Sequence, residues 1–132
     1  MKINVVDELG MPVTDDKCKF VSVDPLYPKA EVDLETEGNG VFTATFADKG
    51  QVAAIIRLKE SSKDSYEVTS AVKELKLVLN KGEIQTVNGE AYDGKKEYTF
   101  TVKKIGGEVE EEKGKITSAI LAPEEFTAEG GE

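Results

Sequence analysis

The stretch QVAAIIRLK, residues 51–59, switches between apolar and polar side chains at almost every second position. A period of two is that of a β-strand, because successive side chains of a strand point to opposite faces of the sheet. One face of this strand is entirely apolar and carries Val52, Ala54, Ile56 and Leu58. Ile55 interrupts the polar face, so we expect a neighbouring side chain to cover it. The stretch predicts a strand with one buried face.

The same alternation recurs at residues 30–35, 42–46 and 98–103. Clusters of Gly, Asn, Asp and Pro separate these runs, and such residues favour turns. The clusters are Leu9-Gly10-Met11-Pro12, Asp24-Pro25, Gly38-Asn39-Gly40, Asp48-Lys49-Gly50 and Asp93-Gly94. We interpret Asp48-Lys49-Gly50 and Asp93-Gly94 as hairpin turns, and residues 23–30 and 35–40 as exposed loops. Strands at roughly ten-residue spacing predict an all-β, antiparallel sandwich.

Residues 66–79 fit two patterns. Tyr66, Val68 and Val72 share one face of a strand, and the leucines at 75, 77 and 79 alternate after a bulge. A stripe through residues 68, 72, 75 and 79 also has helical spacing. We favour strands, because Tyr, Val and Thr have high β-propensity.

The residue composition and hydrophobic pattern change twice along the chain, which predicts three segments. Residues 1–80 form the sandwich, and residues 81–105 form a β-hairpin extension. Residues 106–132 begin with Gly106-Gly107 and an acidic run, which is typical of a flexible charged linker, and continue as an extended tail. The tail carries four large apolar side chains that we expect to bind a protein partner: Ile116, Ile120, Leu121 and Phe126.

The composition argues against catalysis. The chain has no histidine, a single cysteine and no tryptophan, and it lacks the glycine-rich motifs that bind nucleotides. We therefore predict no catalytic residue, no metal site and no cofactor. We interpret Cys18 as a core thiol, and the acids around the first bend, Asp7, Glu8, Asp15 and Asp16, as surface and turn residues rather than calcium ligands.

The net charge of −9 repels phosphate backbones, so we expect no nucleic-acid partner. No apolar stretch is long enough to cross a membrane or to direct export, so we expect no membrane insertion.

Three segments combine a strand with a Gly-containing bend or turn: VVDELGMPV at residues 5–13, EGNGVF at 37–42 and GQV at 50–52. They resemble the corresponding segments of bacterial and phage immunoglobulin-like domains of the invasin or carboxypeptidase-regulatory (prealbumin-like) type. The resemblance covers about residues 1–79 and implies an immunoglobulin-like sandwich. Such modules act as spacers, decorations or binding heads, and no catalytic residue is carried over.

These patterns lead us to expect a non-enzymatic structural or binding module located in a virion or at a cell surface. The first hypothesis is a phage virion component, either a capsid decoration or a fibre-attachment protein, whose tail contacts the assembly. The alternative is a module of a bacterial surface adhesin that binds a host protein or glycan. The third hypothesis is a regulatory or spacer domain of a larger enzyme. Homo-oligomerisation is compatible with all three hypotheses.

Overall fold

Two β-sheets face each other across the apolar sides of the alternating strands in a computed structural model, which describes residues 1–105. The first sheet has the order β4-β5-β1-β11-β7, and the second has the order β10-β9-β8-β6-β2-β3. The strands of the first sheet are β1 Lys2–Val6, β4 Glu35–Gly38, β5 Val41–Thr43, β7 Tyr66–Val68 and β11 Tyr98–Lys104. Those of the second are β2 Phe20–Val23, β3 Glu31–Asp33, β6 Ala53–Leu58, β8 Leu75–Asn80, β9 Glu83–Val87 and β10 Glu90–Ala91. A 3-10 helix, Glu60–Asp64, follows β6.

The predicted all-β sandwich is confirmed, and residues 1–105 contain no α-helix. The immunoglobulin-like resemblance stays a prediction. Within residues 66–79, Tyr66–Val68 form β7 and the leucines at 75, 77 and 79 lie in β8, so strands are confirmed there and the helical stripe is wrong. Residues 69–74 form the connection between the two strands, so Val72 does not lie on a strand face.

Three phenylalanines join the two sheets. Phe20 of β2 stacks on Phe100 of β11 with ring centroids 4.8 Å apart, and Phe42 of β5 lies 6.0 Å from Phe20. Phe20 belongs to the second sheet and the other two belong to the first, so these contacts cross the interior. All three side chains are buried within one apolar cluster that also includes Ile3 and Ile56. Aromatic pairs of this kind add stability beyond the apolar area that they bury.

The strand QVAAIIRLK behaves largely as its pattern predicts. Within β6, Ala54, Ile56 and Leu58 are buried, whereas Val52 precedes the strand and is largely exposed. Ile55 lies on the outer face between Val23 of β2 and Lys76 of β8, and it is half-buried.

Residues 30–35, which read as one strand, belong to both sheets. β3 pairs with β2 in the second sheet and β4 pairs with β5 in the first, so the chain crosses between sheets at the buried Leu34. Val32 is 66% exposed, because β3 is an edge strand.

Two turns that we interpreted as hairpins are crossings between sheets. Asp48-Lys49-Gly50 leads from β5 to β6, and Asp93-Gly94 leads from β10 to β11. The hairpins of this region lie at Lys81-Gly82 and Asn88-Gly89, where both residues of each pair have positive φ. Turn chemistry sets the local backbone angles but does not decide which sheet the chain enters next.

The segment at 81–105 is not a separate extension. The boundary at residue 80 falls inside the β8–β9 hairpin, whose strands are hydrogen-bonded to each other. β11 lies between β1 and β7 and contributes Phe100 and Val102 to the core. β1 and β11 pair in parallel, with Ile3 opposite Tyr98 and Val6 opposite Thr101. The last described strand is therefore central to the first sheet.

Phe100→Ala is expected to lower the free energy of unfolding by about 3–5 kcal/mol, because it leaves a cavity beneath Phe20. Leu26→Ala is the control, since Leu26 is 72% exposed and its loss should cost less than about 0.5 kcal/mol. Denaturant titration of both variants measures the difference. A small effect of Phe100→Ala would contradict the central position of β11.

Candidate binding site

The four tail residues predicted to bind a partner, Ile116, Ile120, Leu121 and Phe126, lie outside the described residues 1–105. Their role stays a prediction. The structure instead provides a groove beside the point where β11 ends, and an exposed loop after β2.

The carboxylates at the first bend hold the local backbone. Asp7 accepts hydrogen bonds from the backbone N–H groups of Leu9 and Met11, at 2.8 and 3.0 Å. Asp15 accepts one from the N–H of Lys17 at 3.0 Å and one from the hydroxyl of Tyr66 at 2.7 Å. Within residues 1–105, no three His, Cys, Asp or Glu side chains come together as metal ligands would.

Cys18 is buried in the core cluster. Burial raises the pKa of its thiol to about 12, and the nearby Asp15 carboxylate contributes in the same direction. Because the thiolate is the reactive form, this side chain is inert at neutral pH.

The groove beside β7 has a volume of about 880 Å³. We call it the β7 groove. Its apolar wall consists of Val68, Ala71, Val72 and Ile105. Residues 69–74 carry the chain from β7 in the first sheet to β8 in the second, so the groove runs along one side of the sandwich. A volume and lining of this kind suit the side chains of a bound peptide.

The β7 groove is lined by both cations and carboxylates. Four cationic side chains line it, against the two carboxylates of Glu67 and Glu74. The cations are Arg57, Lys63, Lys73 and Lys76. Arg57 forms a salt bridge with Glu31 at 2.8 Å and Lys63 forms one with Glu60 at 3.3 Å, whereas no carboxylate of residues 1–105 pairs with Lys73 or Lys76. Lys73 and Lys76 are therefore the cations of the groove that an anionic ligand can contact.

Lys73 also protects the edge of the first sheet. Its ammonium group donates to the backbone carbonyls of Val68 and Ser70, at 3.0 and 3.2 Å. A lysine at a sheet edge blocks the addition of another strand. The other edge strands are short as well, at two residues for β10, three for β3 and four for β4, which contains a bulge. Side-chain docking is thus better supported than strand addition.

The loop after β2 presents two large side chains to solvent. Leu26 is 72% and Tyr27 is 67% exposed. The backbone beneath them is fixed, because the Asp24 carboxylate accepts from the N–H of Leu26 at 2.9 Å and the Asp24 carbonyl accepts from the N–H of Tyr27 at 2.8 Å. The sequence predicted that residues 23–30 are an exposed loop but did not single out these two side chains.

Sequence reasoning missed the β7 groove. Val72 had been placed on a strand face, but it lies in the connection between β7 and β8 and is 49% exposed. The available signal was Ser70, a polar residue that interrupts the strand alternation between Val68 and Val72. Nothing in the sequence showed that Ile105 would reach the same surface.

No protein-family model, curated protein or solved structure matches this chain. Residues 1–105 contain no helix that is long and apolar enough to cross a membrane.

The link between Asp15 and Tyr66 predicts a specific pH dependence. The hydrogen bond from the Lys17 N–H, followed by that from Tyr66, holds the pKa of Asp15 below its ordinary value of 3.8. Because the folded-state pKa is the lower one, ionised Asp15 stabilises the fold above the unfolded-state pKa, and this contribution is lost as the pH falls through the folded-state pKa. Asp15→Asn should therefore destabilise the protein at pH 7, and its difference from the wild type should shrink in acid.

Thermal or denaturant unfolding of both proteins between pH 7 and pH 2 measures this difference. Asp16→Asn is the control, because it removes the same charge from a neighbouring exposed side chain. A destabilisation by Asp15→Asn that is equal at all pH values would contradict the role of the ionised carboxylate.

Proposed function

We propose that this chain is a non-enzymatic structural and protein-binding module of a large assembly, and that the assembly is a phage virion. In it the chain would act as a capsid decoration or a fibre-attachment protein. The observation that carries the proposal is the parallel pairing of β1 and β11 at the centre of the first sheet.

This pairing gives the module mechanical strength. The two strands run in the same direction, so a force that separates the chain ends pulls β1 and β11 past each other. The evenly spaced hydrogen bonds of a parallel ladder then share the load instead of breaking one after another. β5 and β7 hold the two strands from their outer sides. A module that links two bodies under stress needs such an arrangement.

The chemistry of the chain supports binding rather than catalysis. The full sequence has no histidine, and its one cysteine is buried with a raised thiol pKa. We propose that Ile116, Ile120, Leu121 and Phe126 contact the partner protein, because apolar side chains in an extended segment can fill the grooves of another protein.

The exposed loop after β2 favours a second candidate, a module of a bacterial surface adhesin. Tyrosine is enriched among the residues that dominate protein interfaces. Leu26 and Tyr27 are held on a hydrogen-bonded turn, so they could bind a host protein or glycan with little loss of conformational entropy.

The direction of force should determine the force at which the sandwich opens. Single molecules held at the two ends of the chain load β1 and β11 in shear. Molecules held at cysteines introduced by Glu35→Cys and Thr45→Cys load the open end of the β4–β5 hairpin, whose hydrogen bonds then break in sequence. Force spectroscopy should show a clearly higher rupture force for the first geometry. Equal rupture forces in the two geometries would contradict the proposal that the β1–β11 pair resists shear.

The virion assignment is tested on particles from the bacterial strain that encodes the chain. We expect the wild-type chain in purified virions at a fixed ratio to the major capsid protein, measured by quantitative mass spectrometry. A variant with Ser at positions 116, 120, 121 and 126 should be lost from the particles. The matched control, with Leu26→Ser and Tyr27→Ser, should be retained.

Absence of the wild-type chain from the particles would contradict the virion proposal. If the loop variant instead lost binding to host cells while the four-serine variant kept it, the adhesin candidate would replace it.

A further inference from the structure

The β7 groove lies beside the end of β11, the last described strand. Ile105 is the last described residue, and its side chain forms part of the apolar wall together with Val68 and Val72. Its backbone N–H donates to the carbonyl of Ser65 at 2.8 Å, which fixes the end of β11 against the residue that precedes β7. Whatever follows residue 105 in the sequence therefore starts at the groove.

The sequence that follows has the complementary chemistry. Residues 106–132 contain eight acidic residues and two lysines, a net charge of −6, which is most of the −9 carried by the whole chain. They also contain the large apolar side chains Ile116, Ile120, Leu121 and Phe126. The groove offers cations around an apolar wall, and this segment offers carboxylates next to apolar side chains.

We propose that the β7 groove binds residues 108–126 of the same molecule. This proposal rests on the proposed function, which assigns the four apolar side chains to partner binding. It adds that the groove shields these side chains until the partner protein displaces the segment from the groove. The ten residues between Ile105 and Ile116 provide eleven Cα–Cα steps, which can span roughly 35 Å, so reach is not limiting.

Covalent connection favours the same molecule over other occupants. A segment tethered by a short linker has an effective concentration in the millimolar range, which a free partner seldom reaches. An anionic peptide from another protein would also be repelled by the −6 segment that starts beside the groove.

The docking would rely on side chains. Lys73 already occupies the carbonyl groups of Val68 and Ser70, so a new strand cannot pair fully with β7. The apolar wall would take the hydrophobic side chains, while Lys63 and Lys76 lie among the cations that attract the glutamates. The ionic part of this contact weakens as salt screens it, whereas the apolar part does not.

Paramagnetic relaxation on the isolated full chain tests the contact without any virion component. A spin label is attached through Ala71→Cys in the groove, and the control label through Ala47→Cys, which is equally exposed but lines a different hollow. The native Cys18 is buried with a raised thiol pKa and should not take the label. We expect amide signals within residues 108–126 to be broadened by the groove label and not by the control label.

Val72→Glu should abolish the broadening, because it places a negative charge on the apolar wall. Val78→Glu is the matched variant, since Val78 is 51% exposed, close to the 49% of Val72, and lies outside the groove. It should leave the broadening unchanged, and the dispersed amide spectrum confirms that both variants are folded.

Absence of broadening, or equal broadening by both labels, would overturn the proposal. Contacts between molecules are detected in a mixture of spin-labelled chain at natural isotope abundance and ¹⁵N-enriched chain without a spin label. Broadening seen only in this mixture would assign the groove to a second copy of the chain. Failure here would leave incorporation into virions unaffected, and failure of incorporation would leave this contact intact.

Discussion

The contact between Phe20 and Phe100 is the constraint on which the rest of the arrangement depends. It joins β2 of the second sheet to β11 of the first, across the interior, with ring centroids 4.8 Å apart. Burial of large apolar side chains is the main favourable term in folding, and aromatic rings bury the largest areas. The chain has no disulfide in residues 1–105, because Cys18 is free. The fold therefore depends on this packing rather than on covalent crosslinks.

The position of Phe100 in β11 also bears on where the candidate binding surface lies. Because β11 is an interior strand between β1 and the edge strand β7, its last residues pair with β7. The connection from β7 to β8 then has to cross from one sheet to the other, and the β7 groove lies along this crossing with Val72 and Ile105 on its wall. The same central position pairs β11 with β1 in parallel and provides the shear geometry. The strand that carries Phe100 thus pairs with β1 and also ends beside the candidate binding surface.

The charged side chains of the edge strand β3 and those of the β7 groove differ in their pairing. Glu31 and Asp33 of the edge strand β3 form salt bridges with Arg57 and Lys59, each at 2.8 Å. The Arg57–Glu31 pair is largely shielded from solvent, whereas the Lys59–Asp33 pair is more exposed and contributes little to stability. Charged edge strands also discourage pairing with other sheets. The β7 groove differs, because Lys73 and Lys76 face an apolar wall without a paired carboxylate in the described part of the chain. The overall charge of −9 therefore does not describe the local field at this surface.

The sequence by itself determined the fold class. The alternation in β6 and the run at Leu75, Leu77 and Leu79 specify strands with one buried face, because side-chain direction along a strand depends only on position parity. It also determined where turns occur, since Asn and Gly adopt positive φ at little cost, as at Gly38-Asn39-Gly40. Only the tertiary structure decided which sheet each strand joins, as shown by the crossing at Leu34 and by the central place of β11. The candidate groove depends on that choice, because it is built from residues as distant as Arg57 and Ile105, and local periodicity carries no information about contacts between distant segments.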